Sequence, residues 1–210
     1  MTDHSSLREL EKMAAQNDMM NKKTAILEAA LNLIAIHGFH GAPTSKIARE
    51  AGAGVGSIYR YFQSKEDLIH ALFTYVSEIA RKEILREFDF HAPIREQFIR
   101  LSTNTFQFLI DHPTISAFIE QYFNSPYGIS HKRDMILDEN NDSKNNHPMH
   151  EVLETAKANK IVKDMPFHLL NALSFGPIIF LVRDIHAGLI DIDPDTMKGI
   201  IKACWDAIKR

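Results

Sequence analysis

Apolar positions recur at helical spacing from one end of this chain to the other. Between Lys22 and His37, Ile26, Ala30, Leu33, Ile34 and His37 fall at i, i+4, i+7, i+8 and i+11. That spacing predicts a helix with one inward stripe, closed by Gly38. From Thr44 to Ala51 the pattern repeats on a shorter scale with Ile47, Ala48 and Ala51. Gly52 stops this second helix, because a left-handed φ costs glycine little. The turn Ala53-Gly54-Val55 leads into a third helix, Gly56–Phe62. There Ile58 and Phe62 share an inward face and leave Ser57, Arg60 and Tyr61 toward solvent. Two short helices across a glycine turn, with polar and basic groups on the second and a third helix to bury their apolar faces, describe a helix-turn-helix DNA reader. Phe39 is expected to tuck beneath the three helices.

Farther on, Ser64 with Asp67 three residues later resembles a capping box and opens a helix to about Phe88. Breaks at His91-Ala92-Pro93 and Asp111-His112-Pro113 bound a helix from about Ile94 to Ile110, and an aromatic helix then runs to about Phe123. Residues 124–147 hold few apolar groups and read as a connection, with a short helix at Lys132–Leu137. Further helices are expected over Pro148–Asn159, from Pro166 to Ala187, and from Asp193-Pro194 to about Lys209. No stretch alternates as a half-buried strand does. The fold class is therefore all-α, with about nine helices. The domains read as a polar N-terminal arm over 1–20, with a frayed amphipathic helix through Leu7, Leu10, Met13 and Ala14 as the alternative there, a three-helix DNA-binding domain over 21–67 and a larger helical domain over 68–210.

Composition narrows the function. The 210 residues are 45% hydrophobic and 24% charged, as in an ordinary globular protein, and the net charge of −3 excludes a uniformly basic surface. Lys22, Lys23, Lys46, Arg49, Arg60 and Lys65 against Glu28 and Glu50 nevertheless give +4 over residues 22–65, so the basic footprint lies on the helix-turn-helix. The lone Cys204 excludes an intramolecular disulfide and fits a reducing cytoplasm. The polar start is unlike a signal peptide, and the apolar run Ala172–Val182 is too short for a bilayer. A soluble, cytoplasmic protein without a membrane partner is expected.

Catalytic signatures are missing. The Gly52–Gly56 run follows a helix rather than a strand, unlike a dinucleotide loop. His37 and His40, and His147 and His150, stand at i, i+3 without further ligands, and Cys204 has no nearby histidine. No enzyme, metal or cofactor is expected. A ligand-sensing or protein-interaction protein that has lost DNA binding is the alternative to a regulator, and the intact Gly56-Ser57, Tyr59 and Lys65 argue against it.

The residues also carry a family resemblance. Gly38-Phe39, Ile47-Ala48-Arg49-Glu50-Ala51-Gly52, Gly56-Ser57-Ile58-Tyr59-Arg60-Tyr61-Phe62 and Lys65-Glu66 resemble the N-terminal domain of TetR-family transcriptional regulators over about a quarter of the chain. Ala42 and Pro43 stand where the family often has a hydroxyl residue, and Gly54 where it often has Ser or Ala. The resemblance implies a homodimeric regulator of double-stranded operator DNA, a repressor released by an unidentified small effector. It implies phosphate contacts at Thr44, Tyr59, Tyr61 and Lys65, with Ser45 and Lys46 beside them. It places Val55, Gly56, Ser57 and Arg60 in the major groove. In the C-terminal domain it implies an effector pocket, for which Phe73, Phe106, Phe108, His112, Phe118, Tyr122, Phe123 and Phe175 are candidates. It further implies a dimer face on the last two helices, with Leu173, Phe180, Leu181, Ile185, Ile201, Cys204, Trp205 and Ile208.

Overall fold

A computed structural model describes residues 4–130 and 148–210, with side chains from residue 19 onward. Its helices are α1 (His4–Gly41), α2 (Thr44–Glu50), α3 (Val55–Tyr61), α4 (Lys65–Ile84), α5 (Ile94–Asp111), α6 (Pro113–Phe123), α7 (Pro148–Ala158), α8 (Phe167–His186) and α9 (Pro194–Ile208). Residues 126–130 are also helical. Among the described residues there is no strand, only an isolated antiparallel bridge between Val162 and Lys209. The short helix expected at Lys132–Leu137 lies outside the described residues.

The chain divides into two compact units, Met1–Tyr75 and Val76–Arg210, with the division inside α4. In the first unit Ile26, Ala30, Ile34, Ala42, Ile47, Ile58, Leu68, Ile69 and Leu72 are all 0 or 1% exposed and form the core. The backbone of the N-terminal segment is helical from His4, and no glycine or proline interrupts it before Gly38. One detail differs from the sequence reading. At Gly38 (φ 70°, ψ 175°) the helix breaks, and the half-buried Phe39 turns inward in place of His37, which is exposed.

Helix α4 ends at Ile84, short of the expected Phe88, because Glu87 turns the chain with φ 58°. Its start is the expected cap in modified form. Ser64 Oγ accepts the Asp67 N–H at 3.0 Å, and Asp67 Oδ2 accepts the N–H of Gln63, one residue earlier than in a capping box, at 2.9 Å.

In the second unit α5 is the spine, burying Phe98, Leu101, Phe106, Phe108 and Leu109 against α6, α7, α8 and α9. The Phe98 and Trp205 rings lie 5.0 Å apart between centroids, which joins α5 to α9. Asp193 caps α9 by accepting the Thr196 N–H at 2.7 Å, and this bond holds its carboxyl below the usual range. Helix α8 is apolar almost all round and carries Pro177 in its interior. By length and composition it is the one helix among the described residues long and apolar enough to cross a bilayer. One of its faces packs on α5 and α9; the other is open.

Candidate nucleic-acid interface

The turn between α2 and α3 is fixed by backbone bonds. Ala53 N–H reaches Ala48 O at 2.8 Å and Gly52 N–H reaches Arg49 O at 3.2 Å, a paired closure of the α2 C-terminus. It requires φ > 0 at Gly52, which adopts 61°. Ile47 and Ala48 on α2, with Ile58 and Phe62 on and just after α3, are buried and set the angle between the helices. Lys23 adds a tie the sequence pattern did not show, its ammonium standing 5.7 Å above the Phe62 ring. Tyr75 on α4 donates to Glu28 on α1 at 3.2 Å; burial first, then the Glu28 carboxylate, raises its pKa.

What remains outside is the surface the motif presents. Val55 (41% exposed), Gly56, Tyr59 (52%) and Arg60 are open, and Ser57 is half-buried. Gly54 caps α3 without a side-chain bond, and a Cβ added at Gly56 would meet nothing within 4 Å. The start of α3 is therefore a shallow surface that admits close approach. Thr44 Oγ1 and the Tyr59 hydroxyl lie 3.4 Å apart, linking the start of α2 to α3. Arg60 covers the Tyr61 ring at 5.0 Å and donates to its hydroxyl at 2.9 Å. Ser45 and Arg49 are exposed and Lys46 is half-buried. Lys65 behaves differently: its ammonium donates inward to the Phe39 carbonyl, and burial lowers its pKa.

The profile of bacterial regulatory proteins of the tetR family matches residues 26–72, and that of the tetracyclin repressor-like C-terminal domain matches residues 93–209. The chain belongs to the TetR family. An uncharacterized HTH-type transcriptional regulator of Haemophilus influenzae is 26% identical, covering 88% of this chain and 94% of that protein. A crystal structure of a TetR family transcription regulator from Marinobacter aquaeolei is 26% identical with a TM-score of 0.78, covering 93% of this chain and 98% of the other. A fatty acid metabolism regulator protein of Bacillus subtilis is 46% identical, but over only 52 residues, 25% of this chain and 27% of that protein. As a TetR-family member the protein is a helix-turn-helix DNA-binding transcriptional regulator, in a family of regulators rather than enzymes.

The second unit of this TetR-family regulator rearranges the expected site residues. Two clefts open there. One of about 280 Å³ lies between α6 and α8, with Leu109, Pro113, Ala117, Ile179 and Arg183 among its walls. One of about 180 Å³ is walled by Phe88, Phe90, Ile94, Gln97, Glu151 and Val152, among others. None of the eight aromatic and histidine candidates lines either. Phe106, Phe108, Phe118 and Tyr122 are packed in the core, and burial pushes the Tyr122 hydroxyl up to about 12. Phe175 is half-buried and Phe123 is 40% exposed, while Phe73 belongs to the first unit. His112 stacks on Phe108 with centroids 4.4 Å apart and pairs with Glu83 at 3.0 Å, tying the start of α6 to the end of α4.

The expected dimer residues separate by helix. Leu173 (43%) and Phe180 (56%) are exposed and Leu181 and Ile185 half-buried on α8. On α9, Ile201, Cys204, Trp205 and Ile208 are at most 3% exposed. These four side chains are covered within the subunit. They make up the single apolar stripe of an amphipathic helix, and the subunit's own core takes it.

Proposed function

We propose that this regulator is a homodimeric repressor that leaves a two-fold-symmetric operator when a small effector binds its C-terminal unit. The observation that carries the reading is the outward face of α3, held open by the buried Ile58 and Phe62 behind it. Val55, Gly56, Ser57 and Arg60 read base edges in the major groove. Thr44, Ser45, Lys46, Tyr59 and Tyr61 set register on the phosphates. Arg60 spends one of its five N–H donors on Tyr61 and keeps the rest for DNA. We place the arm, the DNA-binding domain and the effector and dimerisation domain at 1–20, 21–67 and 68–210.

So small a reader gains affinity and specificity from a second copy placed about one DNA turn away. The open face of α8 supplies the surface: Leu169, Leu173, Ile179 and Phe180 are 43–56% exposed, and Ala172 and Gly176 among them allow close helix approach. This reading assigns the apolar length of α8 to a partner subunit rather than to lipid, and it puts the protein in the cytoplasm beside its DNA. The α6–α8 cleft, with mostly apolar walls, is just below the usual volume of small-molecule sites. The effector claim is tested by titrating operator-bound protein with a metabolite library while following fluorescence anisotropy. The account expects one chemical class to release the DNA and raise the melting temperature. If no compound does either, effector control fails while DNA binding stands.

A further inference from the structure

Val55, Ile58 and Phe62 fall at i, i+3 and i+7, so all three belong to one apolar stripe. The core takes Ile58 (1% exposed) and Phe62 (2%) and leaves Val55 open at 41%. On either side of Val55 stand Gly54 and Gly56, which carry no side chain. A Cβ built at Gly56 would meet nothing within 4 Å, and one at Gly54 would reach Ser57 Oγ at 4.0 Å. The valine side chain therefore projects from otherwise bare backbone. Its exposed neighbour one turn on is Tyr59 (52%), whose hydroxyl lies 3.4 Å from Thr44 Oγ1 at the start of α2. A β-branched residue is a poorer helix former than alanine, so local helix stability does not account for valine at this place.

Valine has neither a hydrogen-bond donor nor an acceptor in its side chain. In the major groove each base pair displays donors and acceptors, and the one apolar group among them is the C5-methyl of thymine. Set against a polar base edge, the Val55 methyls would strip water from a donor or acceptor and leave it unpaired. Set against the thymine methyl, they bury apolar surface on both sides without that cost. We infer that Val55 is a specificity-determining residue that selects thymine in each half-site by packing on its C5-methyl group. This role rests on the reading of α3 as the helix that enters the major groove.

The test starts from the operator selected out of a randomised duplex pool. Each thymine of one half-site is replaced in turn by uracil, which lacks only the methyl group. Binding of wild type and of Val55→Ala to each duplex is then measured by fluorescence anisotropy. At one thymine, uracil should weaken wild-type binding about fourfold, the worth of one buried methyl group. Val55→Ala removes both γ-methyl groups of the reader, so the same replacement should then change affinity by less than about 1.5-fold, while the other thymines keep their wild-type response. Val55→Ser removes the same two groups and carries the comparison if the alanine variant does not fold. An operator with no methyl-sensitive thymine, or with one that is equally sensitive in the variants, overturns the inference and leaves DNA binding standing. A pool that yields no preferred sequence sinks the reading of α3 itself, and the inference with it.

Discussion

Replacing Phe180 with alanine tests the dimer face at its most exposed ring. A phenylalanine offers about 200 Å² of surface, and Phe180 is 56% exposed in the subunit, leaving about 110 Å² for a partner to cover. At about 25 cal/mol per Å² that is about 3 kcal/mol for each ring and about 5–6 kcal/mol for a symmetric pair. Alanine still covers part of this area, so the expected loss is about 3 kcal/mol per dimer, or about 150-fold in the dimer Kd. Sedimentation equilibrium over a dilution series reads that constant directly. Within the subunit the ring is mostly exposed, with the Arg183 guanidinium 4.3 Å above it, so the variant should keep its fold. A dimer Kd within threefold of wild type would refute the reasoning, because the open face of α8 would then not be where the subunits meet.

Other substitutions separate folding from recognition. Trp205→Ala should cost about 3–5 kcal/mol in denaturant unfolding, since the ring is 3% exposed and packs on Phe98. Gly52→Ala has room for its Cβ and suffers only from φ +61°, so about 1–2 kcal/mol is expected in the same assay. Tyr59→Phe removes an exposed hydroxyl and should leave unfolding within about 0.5 kcal/mol while weakening all duplexes alike in gel shift. The Asp193 carboxyl has a folded pKa below its ordinary 3.8, so its capping contribution is complete above that value and fades as pH falls through the lowered one. Asp193→Asn keeps a capping oxygen and should show a shallower loss of melting temperature below pH 4 than wild type, since only the ionised cap titrates there.

Much of the first unit was legible because its signals are local. The i, i+4 stripes of α1 and α2, the glycine after α2 and the Ile58–Phe62 pair each need only a few neighbouring residues to be read. The Asp193-Pro194 start of α9 is of the same kind. The bond from Lys65 depends on a carbonyl 26 residues away, whereas the family resemblance speaks only of a phosphate contact there. Which apolar side chains of the last two helices stay exposed was half legible for a definite reason. Ile201, Cys204, Trp205 and Ile208 form one stripe, opposite the exposed Thr196, Gly199 and Asp206, and a helix with one apolar stripe uses it for its own core. Helix α8 is apolar on both sides and has a second face to offer. Aromatic content alone could not separate rings that fill space from rings that would line it, so Phe106 and Phe118 read equally well as pocket or core.

The central claim is sequence-specific DNA recognition, and selection of bound duplexes from a randomised pool at physiological salt tests it most directly. The account predicts enrichment of a single palindromic operator, with half-sites about one helical turn apart and binding lost when the order of one half-site is scrambled. Recovery of unrelated sequences, with affinity that depends on salt but not on sequence, would contradict it.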